Sequence, residues 1–156
     1  MRGGTPEQAL QHALKFLSYR ARSEEEVRVK LTQLGFPEKS IKVTLERLRS
    51  LNVLNDEDFA RGWAVRRAEG RGYGPVRIER ELRQKGISKP LIDLILREAF
   101  AKDGERERAR ALLKKKFRIT NLSDARVLRR AGHFLHRCGY HDSLIAELLS
   151  ESLGEN

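Results

Sequence analysis

His133, His136, Cys138 and His141 are the one group in the 156-residue sequence whose types could suggest metal chemistry. Their spacing does not complete a site. His133 and His136 share a helical stretch, Gly139 should end that helix before His141, and neither a second cysteine nor an acidic ligand completes a familiar set. Cys138 reads more simply as a small core residue, and a single cysteine rules out an intrachain disulfide. Asp56-Glu57-Asp58 could imitate a nuclease carboxylate pair, but Asn55 followed by three acids also suits a helix N-terminus. Neither a Gly-x-Ser-x-Gly nor a His-Glu-x-x-His pattern occurs. No catalytic residue, metal or cofactor is expected.

The remaining chemistry is electrostatic. Lys and Arg total 32 against 22 Asp and Glu, a formal net charge of +10. Such an excess points toward an anionic partner. Residues 61–85 hold eight cations against three acids, and residues 106–137 hold eleven against two. Pairs such as Arg77–Glu81 and Glu79–Arg83 would neutralise part of the first window in a plain solvated helix surface. Lys114-Lys115-Lys116 and Arg129-Arg130 have almost no local counter-charge. They suit contact with a phosphate backbone or an acidic protein groove. Arg71-Gly72-Tyr73-Gly74-Pro75 admits two readings. Its N–H groups could form an anion seat at a helix N-terminus, or Gly74-Pro75 could be an ordinary turn that starts the helix. Phe59 and Trp63, four apart, suit a core better than a base-stacking platform.

Elements that could position these residues follow from an internal repeat. Three segments share one pattern: Val27, Leu31, Gly35-Phe36, Ile41; Ile78, Leu82, Gly86-Ile87, Ile92; and Ala131, Leu135, Gly139-Tyr140, Ile145. Apolar residues eight and four positions before glycine lie on one helix face. Glycine then ends that helix in the left-handed conformation, the next residue folds back, and a second helix follows. A further helix precedes each pair, over about 6–20, 56–69 and 104–118 by apolar periodicity. The first carries Ala9, Leu10, Ala13, Leu14 and Leu17 inward. Ser23 with Glu26 forms a capping box, Pro75 suits a first turn, and Ser88 can cap the helix carrying Ile92. The expected fold is all-α: three tandem three-helix repeats, over residues 6–52, 53–101 and 102–153, in an elongated, curved body. No apolar run is long enough to span a membrane, and no apolar signal core follows Met1. A cytoplasmic monomer is expected.

The residues now gathered resemble the RecX family, the bacterial regulators of the RecA recombinase. Ala13-Leu14-Lys15-Phe16-Leu17-Ser18-Tyr19-Arg20-Ala21-Arg22-Ser23-Glu24-Glu25-Glu26-Val27 is similar to that family's opening helix and Arg-x-Arg-Ser-x-x-Glu turn. The second copy looks closer still, in Leu54-Asn55-Asp56-Glu57-Asp58-Phe59-Ala60, Arg71-Gly72-Tyr73-Gly74-Pro75-Val76-Arg77-Ile78 and Glu81-Leu82-Arg83-Gln84-Lys85-Gly86-Ile87. The resemblance covers about residues 9–100. The third copy departs from it at Ile119-Thr120-Asn121-Leu122, where the family has a Gly-rich turn. It implies tandem three-helix repeats, no enzymatic activity, and binding to RecA in the groove of the RecA–single-stranded-DNA filament, with inhibition of recombination as the usual outcome. Weak, non-specific DNA binding is a further implied property. On this reading the contact residues would be Arg66, Arg67, Arg71, Arg77 and Arg80 in copy two. In copy three they would be Lys114, Lys115, Lys116, Arg118, Arg126, Arg129 and Arg130. The alternative is a stand-alone helical DNA-binding protein of the helix-turn-helix kind.

Overall fold

The computed structural model describes residues 4–101, 104–117 and 124–154, with side chains placed up to Ser152. Among the described residues the chain forms nine α-helices and no strand. They fall into triplets. The first is α1 (Pro6–Tyr19), α2 (Glu24–Gln33) and α3 (Glu38–Ser50). The second is α4 (Asp56–Val65), α5 (Pro75–Gln84) and α6 (Lys89–Ala99). The third is α7 (Gly104–Phe117), α8 (Ala125–Cys138) and α9 (Asp142–Gly154). Each helix packs mainly against helices of its own triplet.

The repeated pattern is the core. All twelve apolar residues at the shared offsets from Gly35, Gly86 and Gly139 are buried. They form three separate clusters, one per triplet. Burying each large aliphatic side chain contributes about 1.5–3 kcal/mol. The three glycines hold φ of 86°, 77° and 91°, the left-handed region where a side chain is strained. Each is followed by the same closing bond. Phe36, Ile87 and Tyr140 donate their N–H to the carbonyls of Leu31, Leu82 and Leu135, at 3.1, 3.1 and 3.2 Å. That six-to-one bond satisfies a carbonyl the helix end would leave open and folds the apolar residue onto the last turn.

Helix starts follow their capping residues. Ser23 accepts from Glu26 N–H while Glu26 reaches back to Ser23 N–H, a capping box that starts α2. Asn55 caps α4, and Pro75 occupies the first turn of α5. Ser88 differs from expectation: it stands at the N-cap of α6, yet its side chain makes no capping bond. Pro90 in the first turn brings no N–H, so one donor that such a cap would serve is missing. Leu14 also differs. It is 39% exposed, while Phe16 packs partly against the core. Arg118 and the Ile119–Leu122 stretch lie outside the described residues.

The middle helices of the triplets meet end to end. Gly86, closing α5, lies so close to α2 that a Cβ there would come 2.5 Å from Glu25 Cβ. Gly139, closing α8, lies against Arg77 of α5, where a Cβ would overlap the Arg77 backbone. The same glycine therefore ends a helix and admits the N-terminus of the preceding repeat's middle helix. Head-to-tail contact sets the carbonyl end of one helix dipole against the N–H end of the next, a favourable arrangement.

A basic face as the candidate interface

The first group of expected contact residues sits where α4 leaves regular geometry. Residues Arg66–Gly70 continue α4 as a π-helical turn. The C-terminal end of this turn is closed by the Arg67 carbonyl, which accepts from Arg71 N–H at 3.3 Å and Tyr73 N–H at 3.0 Å. π-Turns inside helices recur at functional sites because they re-aim side chains. Here the turn sets Arg66 and Arg67 at the edge of α4.

Arg67 and Arg77 join an alternating stack of cations and rings. The Arg77 guanidinium lies 3.7 Å from the Tyr73 ring centre, and that of Arg67 lies 4.4 Å from Trp63 and 5.8 Å from Tyr73. Lys85 Nζ lies 5.2 Å from Trp63. Phe59 stacks on Trp63 with ring centres 5.7 Å apart. Glu81 ties the stack together, accepting from Trp63 Nε1 at 3.3 Å and pairing with Arg67 at 3.7 Å and Arg77 at 3.9 Å. Phe59 is buried and Trp63 half-buried, so the pair belongs to the core and to the stack at once. Arg66, Arg71 and Arg80 are exposed, and among the described residues no ion pair engages them.

The turn Arg71–Pro75 is not an open anion seat. Gly74 N–H donates to the Cys138 carbonyl at 2.7 Å, and Val76 N–H to the Gly139 carbonyl at 2.8 Å. Tyr140 Oη donates to the Gly72 carbonyl at 2.9 Å, and Arg77 Nη1 to the Arg137 carbonyl at 3.1 Å. The donors at the start of α5 are spent on the C-terminus of α8. A Cβ on Gly74 would come 2.6 Å from the Gly139 carbonyl oxygen, so the turn is built for close approach.

The second group lies on the outer edge of α7 and α8. Lys114, Lys115 and Lys116 end α7; Arg126, Arg129 and Arg130 lie on α8; all six are exposed. Phe117 and Phe134 pack edge to face between the helices at 5.8 Å. Lys116 Nζ lies 4.4 Å from Phe134 and the Arg130 guanidinium 6.0 Å from Phe117. Among the described residues none of these six cations forms an ion pair. The start of α7 is different. Arg106 pairs with Glu147 and Glu151, Arg110 with Glu151 at 2.8 Å, and Arg108 with Glu69 at 3.9 Å. Acids from α9 and from the second repeat thus neutralise the front of a helix that looks uniformly basic in sequence. Their signal in sequence is the Glu147/Glu151 pair, four apart on one helix face.

The histidines and the cysteine do not converge. His136 Nδ1 lies 2.9 Å from Asp142, His141 Nδ1 lies 2.8 Å from Glu105, and Cys138 is buried. Burial pushes the Cys138 thiol above its ordinary pKa. Among the described residues no group of three or more His, Cys, Asp or Glu is placed to hold a metal ion. Nor is any helix among them long and apolar enough to cross a membrane.

These features define a class: a tandem array of three-helix repeats whose middle helices abut end to end and whose outer surface carries unpaired cations. Two models of one family match the chain, "RecX, first three-helix domain" over residues 9–48 and "RecX, second three-helix domain" over residues 55–96. The chain is 35% identical to the Regulatory protein RecX of Mycobacterium sp. strain KMS, covering 94% of this chain and 82% of that one. It is 31% identical to that of Streptomyces coelicolor, covering 96% and 79%. The crystal structure of RecX from Lactobacillus salivarius shares the fold, with a TM-score of 0.81, 22% identity and 97% of both chains covered. A crystal structure of regulatory protein RecX gives a TM-score of 0.78 at 28% identity, over 94% of this chain and 71% of that one. The chain belongs to the RecX family and has a regulatory role.

Proposed function

We propose that this protein regulates the RecA recombinase by binding RecA and the RecA–single-stranded-DNA filament, and that it inhibits recombination by occupying the filament groove. The observation that carries this reading is the exposed edge formed by Lys114, Lys115, Lys116, Arg126, Arg129 and Arg130. No ion pair engages these six among the described residues, although the three lysines share α7 with Arg106, Arg108 and Arg110, which are paired. Cations left without partners keep their field for an external anion. Arg66, Arg71 and Arg80 extend the face into the second repeat, with Arg67 and Arg77 as its stacked, preorganised part. Arg118 is the remaining proposed contact.

The action is by surface and not by chemistry. The residues proposed for the contact are arginines and lysines, and no cofactor enters the proposal. The protein works as a monomer in the cytoplasm, with weak and non-specific affinity for DNA alone.

RecA-catalysed ATP hydrolysis and strand exchange on single-stranded DNA test the proposal. Inhibition at sub-stoichiometric to stoichiometric ratios is expected. No effect at stoichiometric excess would overturn it. Tight, sequence-selective DNA binding without RecA would favour a stand-alone DNA-binding protein instead.

A further inference from the structure

A groove of about 610 Å³ runs between α8 and α9 on the surface of the third repeat. Leu128, Gly132, Ile145 and Leu149 give it an apolar lining, and Arg129, His133 and His136 stand along its α8 side. Leu128 and Leu149 are half-buried, so part of each still meets solvent. From Leu128 to His136 the groove follows α8 for about two helical turns. Position 132 sets the third repeat apart from the others. Seven residues before the closing glycine, the first repeat has Arg28 and the second has Glu79. Arg28 pairs with Glu24 at 3.8 Å and Glu25 at 3.4 Å. Glu79 pairs with Arg83 at 2.8 Å and reaches Lys89, at the start of α6, at 3.9 Å. The third repeat has a glycine there, in mid-helix, where it weakens the helix relative to alanine. Conformation does not demand it, and packing barely does. Gly132 does not take a positive φ, and a Cβ would come 3.3 Å from Leu149 Cδ1, the movable end of a side chain. What the glycine provides is an open groove.

We propose that this groove docks an acidic amphipathic segment of a partner protein, with its apolar side chains on Leu128, Ile145 and Leu149 and its carboxylates on Arg129 and His133. Charge complementarity selects the acidic segment. α8 holds Arg126, Arg129, Arg130 and Arg137 and, from Ala125 to Cys138, no acid. Among the described residues no ion pair engages Arg129 or His133. The one carboxylate lining the groove, that of Asp142, already lies 2.9 Å from His136 Nδ1. Glu147 and Glu151 of α9 are turned to α7, where they hold Arg106 and Arg110. The apolar lining selects a protein over a nucleic acid, because a phosphate backbone gains nothing from leucine and isoleucine side chains. An amphipathic helix laid in a groove uses both features at once. It buries anchors three and four positions apart and leaves its charged flank on the rim. The groove adds a shape-selective contact to a face otherwise described by charge, and the proposal does not rest on RecA being the partner.

The test is fluorescence anisotropy of a fluorescein-labelled peptide of about eighteen leucine, alanine and glutamate residues, with its leucines three and four apart on one helical face. A control peptide has the same composition in scrambled order. The full chain should bind the patterned peptide saturably and the scrambled one at least about tenfold more weakly. Gly132→Gln fills the groove and keeps every cation of the face. It should weaken the patterned peptide about tenfold or more and leave the scrambled one unchanged. Arg129→Glu combined with His133→Glu, both at exposed positions, should weaken the patterned peptide by about the same factor. Lys42→Gln, in the first repeat, should change its affinity less than about twofold. Circular dichroism checks that every variant keeps its helical content. Absence of binding overturns the proposal, as does equal affinity for the two peptides. So does a patterned peptide indifferent to Gly132→Gln or to the double variant. An oligothymidylate that displaces the patterned peptide, and itself loses affinity in Gly132→Gln, would assign the groove to a nucleic acid instead. Self-association of the chain that Gly132→Gln abolishes, seen by sedimentation velocity, would assign it to a second copy.

Discussion

The backbone N–H of Gly74 donates to the carbonyl of Cys138 at 2.7 Å, across 64 residues of chain. One hydrogen bond thereby joins the start of the second repeat's middle helix to the end of the third's. With Val76 N–H on the Gly139 carbonyl and Tyr140 on Gly72, it converts a glycine turn into a joint between repeats.

That joint should fail on adding a single methyl group. Gly139→Ala meets both a left-handed φ of 91° and the Arg77 backbone. The backbone cost alone is about 1–2 kcal/mol. Chemical denaturation should show a loss of at least about 2 kcal/mol, or a separate early transition for the third repeat. Gly74→Ala, at an ordinary φ but against the Gly139 carbonyl, should loosen the joint with less harm to the helix ends.

Cys138 reports on the same joint. Its thiol is buried and its pKa is pushed up by desolvation, so little thiolate is available. Alkylation by iodoacetamide at pH 8 should be slow in the native protein and faster in Gly74→Ala. Equal, rapid reaction in both would contradict the packing described here.

Asp56 forms the matching contact between the first and second repeats. Its carboxylate accepts from Glu24 N–H at 2.8 Å, at the start of α2. Burial raises its pKa above the ordinary 3.8, and the Glu24 hydrogen bond offsets only part of that rise. A raised acid binds its proton more tightly when folded. The stability it contributes is therefore greatest below 3.8 and falls as pH rises through the folded-state value. Asp56→Asn keeps an acceptor and removes the charge, so it should cost nothing or stabilise slightly at pH 7, and the gain should vanish near pH 3. Asp56→Ala orphans the N–H and should cost about 1 kcal/mol at pH 7. Thermal melts of the three proteins across pH 3–7 measure both effects.

Paired and unpaired cations should behave differently toward RecA. Arg61 is held by Glu57 and Glu98, each at 3.0 Å. Arg61→Gln should leave RecA inhibition nearly unchanged and alter stability by less than about 1 kcal/mol, since exposed pairs contribute little. Neutralising Lys114, Lys115, Arg129 and Arg130 together should raise the concentration for half-inhibition about tenfold or more. Equal effects from both variants in strand-exchange assays would mean that the binding face lies elsewhere.

The repeat was legible in sequence because its signal is local. An apolar pair four apart, a glycine and two further apolar positions fix a helix, its end and the next helix's inner face, and all twelve such positions are buried. The capping of α2 and α4 was legible for the same reason. Contacts made across repeats were not. Nothing near Gly74 in sequence announces Cys138, and the same holds within the third repeat, where nothing near Arg106 selects Glu147 and Glu151 as its partners. Charge counted along the chain therefore overstated the field at the front of α7 and described it well at the end. The π-turn at Arg66–Gly70 likewise has no distinguishing pattern, because its residues suit an ordinary helix. Only the fold brings Arg20 of the first repeat beside Arg66 and Arg67 of the second.

The central claim is that the basic face binds RecA filaments. Co-sedimentation of this protein with RecA filaments on single-stranded DNA, in moderate salt, tests it most directly. The account predicts saturable co-sedimentation with the filament, reduced by neutralising Lys114, Lys115, Arg129 and Arg130. Protein left in the supernatant at RecA concentrations that pellet all of the DNA would contradict it.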